Sequence, residues 1–227
     1  MFIPLRIQTC FSMMESTIEV KALAKKAAKR GFPAIGLADR GALFAAMAFS
    51  KACMDEGVQP IIGTLLPVVR DMPPGTLRPG AKPPVDHLVL YAQNETGWQN
   101  LLQLVSATHL EGEAGLERLD GRTAGLLALT GGPDGALAKL LSEGQADEAD
   151  ALARRLKQLF GDRLFVEISR TGDPVEKAAG IKMRHIPYKG SNPALMDALA
   201  GNVDLLVSSV PSAMAQVKAG KLRPLAV

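Results

Sequence analysis

The sequence predicts an α/β protein whose strands form a largely parallel sheet. Three observations predict it. A helix–glycine–strand unit recurs along the chain: AAKRG leads to FPAIGLA, CMDEG to VQPIIGTLLPVV, KQLFG to DRLFVEIS, EKAAG to IKMRHIPY, DALAG to NVDLLVSSV and KAG to KLRPLAV. The strand segments are near-continuous apolar runs, the pattern of strands covered on both faces. Helical segments separate them, as βα alternation requires. The repetition is architectural, with no repeat in the residues themselves.

The elements follow in order. Phe2 to Gly31 reads as strand, polar turn and helix. Ser16 with Glu19 three residues on suggests a capping box. Val20, Leu23, Ala24, Ala27 and Ala28 then make one apolar stripe. Lys21, Lys25, Lys26, Lys29 and Arg30 lie largely off that stripe, most of them late in the helix where cations suit the macrodipole. This basic face reads either as a nucleic-acid contact or as a solvated surface. Gly31 ends the helix and Pro33 prevents its resumption. Further helices are expected over Ala42–Glu56, Thr96–Thr108, Gly135–Ser142 and Ala146–Phe160, and strands over His87–Ala92 and Gly125–Thr130. Arg70–Val85, with five prolines, is a long excursion or rim loop. Leu110–Arg122 is polar and irregular. Gly131–Gly135 (GGPDG) reads as a βα turn or an anion cradle at a helix start. It lacks the Lys-Ser/Thr ending of a P-loop and the spacing of a dinucleotide fingerprint.

Composition narrows the function classes. The chain has 227 residues, enough for one large domain or two small ones. A net charge of +3 is too small by itself to imply a nucleic-acid binder. Two cysteines, Cys10 and Cys53, make neither a disulfide framework nor metal-ligand spacing, so reduced thiols in the cytoplasm are the expectation. The N-terminus has no basic segment followed by an apolar one, so no secretory signal is expected. No run approaches the ~18 apolar residues of a membrane span.

The stretches PLRIQTCFSMMES, GFPAIGLADRGALFAAMAFSKAC, GVQPIIGT, HLVLYAQNETGWQNLLQLVS, GLLALTGGPDGAL and FGDRLFVEIS occur in the order and spacing of a known family. Through them, residues 1 to about 172 resemble the N-terminal PHP (polymerase and histidinol phosphatase) domain of bacterial DNA polymerase III alpha subunits. The resemblance implies a distorted (β/α) barrel, here incomplete. In competent members it also implies a metal cluster at the C-terminal strand ends.

Position by position, most of that cluster's ligands are missing. The family's opening His-x-His run is matched by Pro4, Arg6 and Gln8; none is an imidazole, and Arg6 would repel a cation. The acidic residue of the next turn is matched by Glu15. The Thr-Asp-His motif is matched by Ala38-Asp39-Arg40, the glutamate after Ile-Gly by Leu65, and the cysteine of the LTGC-like turn by Gly132. His87 survives near its strand start. Glu15, Asp39 and His87 are therefore vestigial metal positions: either a residual site or relics satisfied by hydrogen bonds, with Asp39 paired to Arg40 or Arg6. A catalytic metal needs at least three well-placed ligands. No catalytic residue, cofactor or metal is expected, and no activity of the chain's own. The resemblance implies a structural or protein-docking role in DNA replication, with polymerase or proofreading subunits as partners; no direct nucleic-acid or membrane contact is expected. The resemblance stops near Gly172, where the family continues through a helix, another strand and a histidine-bearing metal motif, so the chain reads as a truncated PHP domain; the polymerase palm and fingers would lie further downstream. A PHP metal-dependent phosphoesterase or exonuclease is the alternative from this part.

From about residue 173 the chain resembles a different family, the substrate-binding receptors of tripartite tricarboxylate transporters, through KAAGIKMRHIPYKGSNPALMDALAGNVDLL and PSAMAQVKAGKLRPLAV. This implies a βαβαβ fragment of a two-lobed protein. Tyr188, Lys189, Gly190, Ser191 and Asn192 would hold a carboxylate weakly at a helix start, or form an ordinary strand–helix turn. Small-carboxylate binding is a second alternative. The expected organisation is a PHP-like domain over 1–172 fused to a receptor-like segment over 173–227.

Overall fold

The computed structural model describes residues 2–72 and 80–167. The receptor-like segment, its Tyr188–Asn192 loop and the join at 172–173 lie outside the described residues, as do residues 73–79 of the proline-rich excursion.

The described chain is a mixed α/β structure around a five-stranded sheet. Its elements are α1 (Val20–Lys29), β1 (Ala34–Arg40), α2 (Ala46–Asp55), β2 (Gln59–Val69), β3 (Val85–Ala92), α3 (Glu95–Glu111), β4 (Leu126–Leu129), α4 (Ala136–Ser142), α5 (Ala146–Phe160) and β5 (Leu164–Phe165). The strands lie in sequence order across the sheet. β1–β2 and β4–β5 are parallel, whereas β2–β3 and β3–β4 are antiparallel. The expected largely parallel sheet is thus corrected to a mixed one.

Connections explain the correction. Among the described residues no helix separates β2 from β3, and the two strands pair antiparallel. Between β3 and β4, α3 and the returning segment make an out-and-back excursion that ends where it began. Gln93 N–H donates to the Gly125 carbonyl at 2.9 Å, placing the start of β4 beside the end of β3. Asn94 caps α3 by accepting from Gly97 N–H at 2.9 Å. The expected irregular stretch after α3 contains a 3-10 turn, Leu116–Leu119, whose two leucines are buried.

Helices cover one side of the sheet in two groups. Val20, Ala24 and Ala27 of α1 pack with Ile35, Leu37, Phe49 and Cys53. Leu101 and Leu104 of α3 and Leu156 and Phe160 of α5 pack with Leu66, Leu88, Leu90 and Leu126. Each fully buried Leu or Phe contributes about 1.5–3 kcal/mol. The opposite face carries a smaller cluster of Ala38, Leu65, Val89 and Tyr91, against which Leu5, Leu127 and Leu129 pack.

The N-terminal segment differs from expectation. It forms no strand; a single parallel bridge joins Ile7 to Leu37. It still crosses the sheet closely. Tyr91 Oη donates to the Leu5 carbonyl at 2.8 Å, and a methyl on Gly36 would overlap that same carbonyl. The expected capping box is also absent. α1 starts after Glu19 without a side-chain cap, while Ser16 Oγ donates to the Gln8 carbonyl at 2.8 Å.

Candidate functional site at the strand ends

The positions of interest gather where β1, β4 and β5 end, with the N-terminal segment alongside. Arg6 leaves that segment and reaches across to the turn after β4. Its Nη1 donates to Glu167 Oε1 at 2.8 Å and to the Gly131 carbonyl at 3.1 Å, and its Nη2 pairs with Asp134. Gly131 can present its carbonyl because it adopts φ +85, and a side chain there would overlap the His87 carbonyl. Burial works against the charged guanidinium, yet Glu167 and Asp134 outweigh it and raise the pKa of Arg6 above its ordinary value.

A second guanidinium completes the site. Arg40, at the end of β1, places Nη1 2.7 Å from His87 Nε2 and Nε 2.5 Å from Glu15 Oε1. The Nε–H is not aimed at Glu15, so that contact is an ion pair without a well-directed hydrogen bond. Glu15 also accepts from Gln8 Nε2 at 2.8 Å. Burial, and then the Arg40 charge, push His87 down to about 4, so the imidazole is neutral near pH 7 and offers a lone pair to Arg40. Burial and then the Glu167 charge raise the Tyr91 phenol above its ordinary value.

Of Glu15, Asp39 and His87, the structure brings two together and separates the third. Glu15 and His87 meet through Arg40. Asp39 pairs with neither arginine, correcting the expected partnership. It is 1% exposed and accepts from Thr9 N–H at 2.6 Å, Thr9 Oγ1 at 2.7 Å and Ser12 Oγ at 2.7 Å. Successive residues of a strand point to opposite faces, so Asp39 and Arg40 part company. Asp39 thereby anchors the turn that carries Phe11, Met13 and Met14 to the surface, Met14 with φ +70. Phe11 lies 6.4 Å from Phe44, itself 68% exposed.

Sequence reasoning missed Asp134 and Glu167, the partners of Arg6. The GGPDG turn was visible as a motif, but nothing in the sequence ties either carboxylate to a residue more than 120 positions away. The turn proves to be a 3-10 segment, Gly132–Asp134, whose polar groups serve Arg6.

The site does not fit the metal cluster that the resemblance implies. Among the described residues, no group of three or more His, Cys, Asp or Glu is placed to hold an ion. The carboxylates that point inward are engaged by two fixed positive charges, and a cation entering there would face both guanidiniums. Separately, a cavity of about 380 Å³ opens between the sheet, α4 and α5, lined by Val68, Leu88, Leu116, Leu140, Leu152 and Leu156. The Arg70–Asp86 ion pair on its wall is already self-satisfied.

Comparison with known proteins gives two family matches. The PHP domain model matches residues 4–171, and the tripartite tricarboxylate transporter family receptor model matches residues 169–227. The second match is short and lies outside the described residues. The DNA polymerase III subunit alpha of Caulobacter vibrioides is 38% identical over 184 residues, covering 78% of this chain and 16% of that protein. Its counterpart in Pseudomonas aeruginosa is 31% identical, covering 75% and 14%, and that of Aquifex aeolicus is 29% identical, covering 83% and 17%. The chain therefore spans about one-sixth of these relatives. A solved Bifidobacterium adolescentis structure, described as a candidate metal-dependent phosphoesterase, aligns over 76% of this chain at 13% identity with a TM-score of 0.41, below the level at which a shared fold follows. No helix among the described residues is long and apolar enough to cross a membrane. The PHP match extends over about three quarters of the chain and includes every described element, so the chain belongs to the PHP domain family.

Proposed function

We propose that this PHP domain works without metal-dependent chemistry, as a structural and protein-docking module of the replicative-polymerase kind. The observation that carries the reading is the pair Arg6 and Arg40. Both stand where the family resemblance places histidine ligands, and both are neutralised by carboxylates that a metal would otherwise recruit. Permanent guanidinium charges hold the strand ends together where ions would do so in a competent member. Polymerase or proofreading subunits are the partners that this reading favours, in the cytoplasm. The exposed Phe11, Met13, Met14 and Phe44 are the surface we assign to protein contact, since apolar side chains in such concentration mark interaction sites. We further infer that residues 1–172 belong to the PHP-like part of the chain and residues 173–227 to a receptor-like part.

The competing reading is a metal-dependent phosphoesterase. The test is hydrolysis of a phosphodiester such as bis-p-nitrophenyl phosphate with added manganese or zinc. The proposal expects no turnover above that of the same metal solution without protein. Turnover that chelation abolishes and manganese restores contradicts it. Small-carboxylate binding through Tyr188–Asn192 is tested by calorimetry with citrate, for which the proposal expects no heat at millimolar ligand.

A further inference from the structure

We infer that the outward face of α1 is a contact surface for the phosphate backbone of duplex nucleic acid. The sequence left this face open between nucleic-acid contact and plain solvation, and the expectation of no direct nucleic-acid contact is the one this inference revises. The structure adds three observations. First, Lys21, Lys25, Lys26, Lys29 and Arg30 are all exposed. Second, none of them joins an ion pair among the described residues, although eight other cations do so. α1 itself contains no acidic residue, and Asp55 and Glu56, exposed at the end of the neighbouring α2, pair with none of the five. Third, the remaining exposed position of the helix is Ala22, so the face offers charge without an apolar anchor.

Each observation selects the partner. α1 spends its apolar stripe on the core through Val20, Ala24 and Ala27. It therefore has no apolar face to insert among lipids, which interfacial helices need. It has no Trp, Tyr or Phe core of the kind that anchors protein interfaces. It offers no exposed aromatic on which single-stranded bases would stack. What remains is a rigid rod about 15 Å long whose Lys21, Lys25 and Lys29 rise in steps of about 6 Å. Such a row complements a duplex, which carries a charge about every 1.7 Å along its axis. Contacts of this type position a protein on nucleic acid without reading its sequence. The inference stands on the charge of α1 and is independent of whether the strand-end site holds a metal.

The test is fluorescence anisotropy of the full chain with a labelled DNA duplex of about 20 base pairs, titrated between about 50 and 200 mM salt. Five phosphate contacts predict a slope of log K against log salt of about −4 to −5. The triple variant Lys25→Gln, Lys26→Gln, Lys29→Gln is expected to flatten that slope by about 2 to 3 and to weaken binding at least tenfold at the lowest salt. Gln and Lys have similar helix propensities, so circular dichroism should show α1 intact. Arg154→Gln, which removes an exposed cation on α5, should leave binding unchanged. Three results overturn the inference: no duplex binding at the lowest salt, an unchanged slope in the triple variant, or tighter binding to a single strand or to anionic lipid vesicles than to the duplex.

Discussion

Two arginine-centred clusters sit on this sheet, and they differ in depth. Arg70, just after β2, makes a bidentate pair with Asp86 of β3 at 2.7 and 3.1 Å. Lys139 of α4 adds a contact to Asp86 at 2.7 Å, and Glu143 accepts from Arg70 at 3.0 Å. The Arg70 and Asp86 side chains are 7% and 2% exposed. Burial opposes the Asp86 charge, but the hydrogen bonds and charges of Arg70 and Lys139 hold its carboxyl below the usual carboxylate range. At the strand ends, Arg6 and Arg40 are 22% and 32% exposed and bind their carboxylates nearer to water. The deep cluster joins two strands and a helix, and neither partner can be lost cheaply. The shallow cluster occupies a position where the family places metal chemistry. On the proposed reading, the same ion-pair chemistry serves architecture in one place and stands in for metal in the other.

The comparison breaks most visibly at Asp86. Asp86→Ala leaves Arg70 buried without its main partner and should cost about 3–5 kcal/mol, read from urea unfolding. A cost near that of an exposed pair would show that the deep cluster is not what joins β2 to β3. Gly36→Ala comes next, at about 1–3 kcal/mol, because its methyl would push the Leu5 backbone off the sheet. It should also release Arg6 from Glu167, visible as faster amide exchange over residues 5–7.

Arg6→Gln should cost only about 1–2 kcal/mol, since its bonds to charged groups are partly solvated. Raised salt should shrink that difference and leave the Asp86 effect nearly unchanged. Acid should act on the shallow cluster through His87. Its folded pKa, about 4, lies below the unfolded value of about 6.5. The neutral form thus contributes stability above pH 6.5 that is lost as pH falls toward 4. His87→Gln should flatten the stability profile in that window; an unchanged profile would remove His87 from the account. The smallest effect is expected at Arg154→Ala, whose exposed i,i+4 pair with Asp150 contributes less than about 0.5 kcal/mol.

Much of the fold was legible because local signals and tertiary context agree. α5 matches its expected span, Ala146–Phe160, residue for residue, and α3, α4, β3 and β4 lie within a few residues of theirs. Gly31 ends α1 with φ +70, as its position foretold. Strand direction was not legible, since apolar runs look alike in either sense and only the connections decide it. The first strand was overread: PLRIQ has the composition of a strand, yet it gains a single bridge and is held by Tyr91 and Arg6 instead. At the site, arginine at positions 6 and 40, where the resemblance expects histidine, was plain. The destination of each arginine was not, because Glu15, Asp134 and Glu167 come from three distant segments. Asp39 shows the converse: its identity suggested the site, while strand alternation sends it to Thr9 and Ser12.

The central claim is that Arg6 and Arg40 stand in place of metal. The most direct test is the metal content of the full chain after equilibrium dialysis against manganese or zinc, beside a double variant Arg6→His, Arg40→His. The account predicts well under about half an equivalent in the natural chain and a gain in the double variant, where three imidazoles would join Glu15 and Glu167. About one equivalent or more in the natural chain would show that ions enter despite both guanidiniums, and would contradict it.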